Sequence, residues 1–190
     1  MRRQLLSGLA MALTMTVLVG LAYPLAMTAV SQAAFHDKAN GSLVERDGKV
    51  VGSKLLGQAF SRPEYFQPRP SAAGDGYDGL ASSASNLGPS SDKLLTTVTQ
   101  RVDAYRQANG LGPQDRVPVD AVTASASGLD PQISVANARI QARRVAAARS
   151  LPVDAVMGMV DAHTQGRQLG VLGEKAVNVL ALNLDLDARR

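Results

Sequence analysis

The sequence predicts an α+β protein in which one N-terminal transmembrane helix precedes a single mixed α/β extramembrane domain. Three observations carry this reading. Leu5 to Val30 is almost wholly apolar, and no side chain from Gln4 to Phe35 bears a formal charge. Beyond that run, segments with helical period are interspersed with short β-branched or alternating runs, without the strict βαβ order of a parallel sheet. The 190-residue chain less its apolar segment leaves about 155 residues, enough for one domain with a real core.

The apolar segment divides the chain into a cytoplasmic tail (residues 1–4), a transmembrane helix (5–30) and a soluble domain (31–190) that includes a long irregular loop (65–89). As a helix, Leu5 to Val30 is about 39 Å long at ~1.5 Å per residue, against a hydrocarbon core of ~30 Å. It is also longer than the ~7–15 residues of a secretory h-region. The run is therefore read as a retained anchor. Ser31-Gln32-Ala33-Ala34 supplies the small residues of a signal-peptidase site, so a cleaved signal is the alternative. Pro24 is tolerated in a membrane helix, and Gly8 and Gly20 permit close approach of a neighbouring one. Arg2 and Arg3 lie before the run, whereas Lys38 after it is offset by Asp37. The positive-inside bias then keeps the N-terminus cytoplasmic. It makes the protein a single-pass inner (plasma) membrane protein with a periplasmic, extracytoplasmic domain.

Composition removes several function classes. There is no cysteine, hence no disulfide, thiolate metal site or cysteine nucleophile. The net charge is +4, and Arg2 and Arg3 supply half of it, so the domain is nearly balanced and lacks a nucleic-acid footprint. Tryptophan is absent and aromatics are few, which argues against a base- or sugar-stacking surface.

After the anchor, Ser42–Arg46 and Lys49–Gly52 read as two strands joined by Asp47-Gly48, a pair favoured in type I′ turns. The loop that follows holds Pro68, Pro70, Gly74, Gly76, Gly79 and Gly88. Its Tyr65-Phe66-Gln67-Pro68-Arg69-Pro70 cluster marks it as more than a linker, because such side chains find a surface to pack on. Ser91 is placed to cap a helix from Asp92 to Asn109, with Leu94, Leu95, Val98, Val102 and Tyr105 on a core-facing stripe and Asn109-Gly110 as its stop. Val117 to Thr123 is a β-branched run read as a strand. Ala124 to Pro131 is a small-residue turn. Ser134 caps a helix through Arg149 with Ala136, Ile140, Val145 and Ala148 inward and Arg139, Arg143, Arg144 and Arg149 on its other side. Pro152 opens a helix burying Val153, Val156, Met157 and Val160. Leu180, Leu182, Leu184 and Leu186 alternate with Ala181, Asn183, Asp185 and Asp187, the period of a half-buried strand.

No constellation of an autonomous enzyme is present. Ser125 and Ser127-Gly128 form a turn that would suit a nucleophile, but the only bases are His36 and His163, and no Gly-x-Ser-x-Gly elbow follows a strand. A free-standing membrane-anchored periplasmic protein or weak serine hydrolase is the alternative reading. Two histidines without a ligand cluster do not make a metal site, and Asp185 and Asp187 are expected to face solvent. No phosphate-cradling glycine loop with its lysine and serine occurs. The arginine-rich helix suits either a solvated face or contact with phosphate or a partner's carboxylates.

The chain resembles a family, the C subunit of the Kdp potassium-transporting P-type ATPase (KdpC). The likeness runs nearly end to end. It is carried by Tyr23-Pro24, Ala39-Asn40-Gly41-Ser42-Leu43, Gly52-Ser53, Leu56-Gly57-Gln58, Tyr65-Phe66, Arg69-Pro70-Ser71-Ala72 and Ser85-Asn86-Leu87. It continues through Val122 to Asp130, Gln141, Arg144-Val145-Ala146, Ala148-Arg149, Leu172-Gly173, Val177-Asn178-Val179 and Leu182-Asn183-Leu184. The resemblance implies a non-catalytic accessory subunit of a high-affinity potassium pump, needed for assembly. Its implied partners are a channel-like potassium subunit, an ATP-hydrolysing subunit and a small single-span subunit. No cofactor is tightly bound. The resemblance also implies a catalytic chaperone that raises ATP affinity at a shared site, through Gln141 and with Arg144 beside it. The interface candidates it suggests are Tyr23, Pro24, Tyr65, Phe66, Ser127, Gly128, Asp130, Asn178 and Asn183. The flanking charges, however, export Gln141 to the side without ATP. They favour a domain that caps the outer mouth of the potassium pathway, with Asp130, Asp185 and Asp187 enriching cations over the ~8 Å that screening allows.

Overall fold

The computed structural model describes residues 1–189, which form two compact units, Met1–Leu43 and the chain from Val44 onward. In the first unit a continuous helix runs over Arg2–Ala34, 33 residues, or about 50 Å at ~1.5 Å per residue. It is long and apolar enough to cross a bilayer, and the protein is membrane-anchored by it. The helix comprises α1 (Arg2–Val17), a π-turn over Leu18–Ala22 and α2 (Tyr23–Ala34). The π-turn has a local cause. Pro24 has no N–H for the carbonyl one turn back and its ring crowds that carbonyl, so the turn widens and Tyr23 N–H donates to Leu18 O instead. A single turn, α3 (His36–Ala39), follows.

In the second unit the hairpin is as expected: β1 (Leu43–Arg46) and β2 (Lys49–Ser53) pair across Asp47 and Gly48, whose φ values of 52° and 72° are those of a type I′ turn. The helix α4 (Asp92–Asn109) also matches its expected bounds. It ends on Gly110 at φ 63°, with Leu111 N–H donating to Arg106 O, a Schellman closure. Its apolar stripe is only half-buried, however, and Leu95 is exposed, so α4 lies on the flank of the core.

The core is built on a three-stranded antiparallel sheet, order β3-β5-β4, from β3 (Gln132–Ser134), β4 (Thr164–Gln165) and β5 (Ala176–Asn178). Ile133 pairs with Val177, and about this pair the chain repeats one device: each strand runs without a linker into a helix capped by its last residue. Ser134 Oγ accepts from Asn137 N–H to start α6 (Val135–Arg149), and Asn178 Oδ1 accepts from Ala181 N–H to start α8 (Val179–Ala188). A further helix, α7 (Val153–Ala162), packs along α6 and buries Val156, Met159 and Val160, whereas Val153, expected inside, is exposed and Met157 is half-buried.

Three expectations are corrected. Val117–Thr123 is not a strand: Val119–Val122 forms one helical turn, α5, in which Pro118 pre-sets φ and Asp120 ties Ser134 and Asn137 to it, outweighing β-branched preference. Leu180–Leu186 is helix α8 rather than a strand. Leu180, Leu182 and Leu186 are all buried, so apolar residues are wanted on more than one side, and a period of two no longer reports a strand. In α6 the buried face is Asn137, Ala138, Gln141, Ala142, Val145 and Ala146, turned from the expected one because two amides, not Ala136 and Ala148, face inward.

Candidate functional site

The long loop is an ordered strap, and the side chains singled out by the sequence converge on it. Phe66, at its centre, is 0% exposed and packs into the core cluster with Ile133, Val145 and Leu182. Burying Phe66 drags its backbone out of water, and its N–H and C=O then need partners. Asn183 of α8 supplies both: its Oδ1 accepts from Phe66 N–H at 2.9 Å and its Nδ2 donates to Phe66 O at 2.9 Å. Gln141 of α6 does the same for the next residue. Its Oε1 accepts from Gln67 N–H at 2.7 Å and its Nε2 donates to Gln67 O at 3.0 Å. Two side-chain amides thus imitate a neighbouring strand, and α6 and α8 are bridged by the strap.

Gln141 is 1% exposed and its amide is full. Besides Gln67, Oε1 accepts from Arg144 Nη2 at 2.8 Å and Nε2 donates to Asn137 Oδ1 at 2.8 Å. Asn137 is held in turn by Tyr105 Oη and by Asp120. Burial, with a contribution from Asp120, pushes the Tyr105 phenol well above its usual range, so it stays a donor.

Two arginines staple the strap's carbonyls. Arg144 donates to Pro63 O, to Tyr65 O at 3.1 Å and to Asn109 Oδ1 at 3.1 Å. Its burial lowers the guanidinium pKa from the ordinary value. Arg149, its side chain 5% exposed, donates to Glu64 O at 2.7 Å and Leu186 O at 3.1 Å, pairs with Asp187 at 2.8 Å, and lies 4.9 Å from the Tyr65 ring centre. Tyr65 Oη also donates to Asp187. Farther along, Arg69 pairs with Asp130 at 3.0 Å, and Ser71 Oγ donates to Gly128 O at 2.6 Å. Gly128, at φ 68°, must be glycine, because a Cβ there would lie 2.6 Å from Ala73 N. Ser127 O accepts from Ser83 N–H and Ser82 Oγ. Asn178 Nδ2 donates to Lys54 O, tying the segment after β2 to the sheet.

These placements revise several expected roles. Phe66, Gly128, Asn178 and Asn183 are buried within the subunit and offer a partner no side-chain surface; their polar groups bind this chain's own backbone. Asp130, Asp185 and Asp187 do not stand free in solvent: each is paired, with Arg69, with His163 and Arg189, and with Arg149 and Arg46 respectively. Paired carboxylates attract cations weakly. Ser127 Oγ accepts from Leu129 N–H, a turn contact, and the imidazole of His163 bonds Asp185, so no serine–histidine couple forms among the described residues. Among the described residues no three His, Asp or Glu side chains gather as a metal site. Tyr23 and Pro24 lie in the anchor helix, exposed to its surroundings. Sequence reasoning missed Asn137 and Asp120, and it placed Tyr105 on the core-facing stripe without its bond to Asn137. The signal for the first was an amide pair at i and i+4, Asn137 and Gln141, on what proves to be the buried stripe.

Similarity to known proteins is consistent along almost the whole chain. The sequence profile of the family described as K+-transporting ATPase, c chain (KdpC), matches residues 5–188. The chain is similar to the potassium-transporting ATPase KdpC subunit of Mycobacterium tuberculosis strain H37Rv, 59% identical over 187 residues that cover 98% of this chain and 99% of the relative. It is also similar to the subunit of that name from Caulobacter vibrioides strain CB15N, 57% identical over 175 residues (92% and 87%), and from Beijerinckia indica, 55% over 177 residues (92% and 88%).

Proposed function

This chain belongs to the KdpC family, the c chain of potassium-transporting ATPases, and from that premise we propose that it is a non-catalytic assembly subunit of a high-affinity, ATP-driven potassium uptake complex. Its partners are the channel-like potassium subunit, the ATP-hydrolysing subunit and a small single-span subunit. The anchor helix inserts with Arg2 and Arg3 on the cytoplasmic side, and the domain caps the outer mouth of the potassium pathway. The observation that supports a scaffold role is the strap. Where an enzyme would leave polar groups free for a substrate, Gln141, Asn183, Arg144 and Arg149 spend theirs on their own backbone, stiffening the domain as one docking body.

The same geometry bears on nucleotide. For Gln141 to contact ATP as a catalytic chaperone it would first have to release Gln67, Asn137 and Arg144. We therefore assign Gln141 to the strap, and an effect of this subunit on ATP affinity acts through assembly.

Tagged protein purified in mild detergent from potassium-limited cells tests the proposal, together with reporters fused after the last residue. Co-purification of the two large subunits, with an active alkaline phosphatase fusion, is the expected result. Purification alone as a monomer, or activity only of a cytoplasmic reporter, overturns it.

A further inference from the structure

The four arginines on the outer side of α6 divide into two pairs with different employment. Arg144 and Arg149 turn inward as staples of the strap. Arg139 and Arg143, one turn apart, stay outside and line a cleft of about 670 Å³ whose walls are the end of α4 with the loop after it, α6, and the start of α7. Arg116 enters from the loop side, and Leu111, Ile140 and Met157 line it with apolar surface. The guanidinium groups of Arg116 and Arg143 make no hydrogen bond or ion pair among the described residues, and Arg139 has one pair, with Asp161, both side chains more than half exposed. The acidic groups lining the cleft are Asp115 and Asp154. Asp115 is committed to the loop, its carboxylate to Gly112 N–H and its carbonyl to Arg106. Two unpaired cations, Arg116 and Arg143, therefore face the cleft beside the paired Arg139, and Asp154 is the one acidic lining side chain without a hydrogen bond among the described residues.

From this the geometry points to a docking groove for an acidic, amphipathic segment of a partner subunit, its carboxylates on Arg116 and Arg143 and an apolar side chain over Ile140 and Met157. Charge complementarity selects this occupant: a carboxylate takes two parallel N–H bonds from a guanidinium, and arginines beside half-buried apolar side chains are the composition of interface centres. The inference rests on the assembly role proposed above and names the surface that performs it.

The test uses the full chain in its complex. Arg116 and Arg143 are both changed to Glu, with the Lys/Lys pair as the charge-retaining control, and a photo-crosslinking residue is placed at Val153, which is 42% exposed at the cleft. Unaltered circular dichroism and membrane insertion establish that each variant folds. The expected results are recovery of partner subunits falling tenfold or more for the Glu pair, recovery largely kept for the Lys pair, and a crosslink from position 153 to an acidic peptide of a pump subunit. Undiminished recovery with the Glu pair overturns the groove and leaves the assembly role standing. Absence of partners with the unaltered chain overturns the assembly role itself. Undiminished recovery with lost binding to phosphatidylglycerol vesicles makes the occupant a lipid headgroup, which also overturns the proposal.

Discussion

Gln141 and Asn183 sit on different helices, yet they close on consecutive residues of one strap, each amide accepting from and donating to the same backbone residue: Gln67 for Gln141, Phe66 for Asn183. The pairing explains how a loop rich in proline and glycine crosses a core without a sheet to receive it. Removal of Asn183 to alanine leaves the N–H and C=O of a fully buried residue unpaired. We expect Asn183→Ala to destabilise the domain by about 2–4 kcal/mol, read from urea unfolding, with Gln141→Ala comparable and the double change non-additive because both hold one segment.

Arg149 has a planar fork that reaches Glu64 O, Leu186 O and Asp187 together. Lysine keeps the charge but cannot span three acceptors. Arg149→Lys should therefore cost about 1–3 kcal/mol despite being conservative in charge, and a melting temperature equal to the parent's would show that the staple is incidental.

Two glycines give opposite expectations. Gly128→Ala forces a Cβ into the strap at a left-handed φ and should lose more than about 1–2 kcal/mol. Gly158→Ala, in α7 with nothing within 4 Å of the added methyl, should gain roughly 0.5–1 kcal/mol. Thermal melts of the two variants decide.

The contrast between what the sequence disclosed and what it hid follows from which forces are local. The hairpin at Asp47-Gly48 and the helices beginning at Asp92, Val135 and Val153 announce themselves through turn chemistry, caps and period. The helix α8 does not, since it buries Leu180 as well as Leu182 and Leu186, on more than one side, and the 3.6 period is lost. The aromatic-proline cluster marks the strap as packed, but its clamp is hidden, because the partners Gln141, Asn183, Arg144 and Arg149 are distant from it in sequence. The resemblance marked those residues but offered Gln141 to nucleotide, whereas its amide is occupied by Gln67.

Asp185 bonds His163 and Arg189, which together outweigh the opposing effect of burial and hold its carboxyl below the ordinary value of 3.8. A depressed folded value means that the stabilisation is complete above that ordinary value and is lost as pH falls through the folded one. The stability difference between the parent and Asp185→Asn should accordingly shrink as pH falls below about 4. A difference that does not change on acidification would remove the carboxylate from the account.

Amide hydrogen exchange at Phe66 and Gln67 measures the strap most directly. With Gln141 and Asn183 present, both amides should exchange as slowly as the core of α6, and Gln141→Ala should free Gln67 alone by at least tenfold. Exchange of both amides in the unaltered protein as fast as at the exposed residues Gly79 and Ser82 would contradict the clamp.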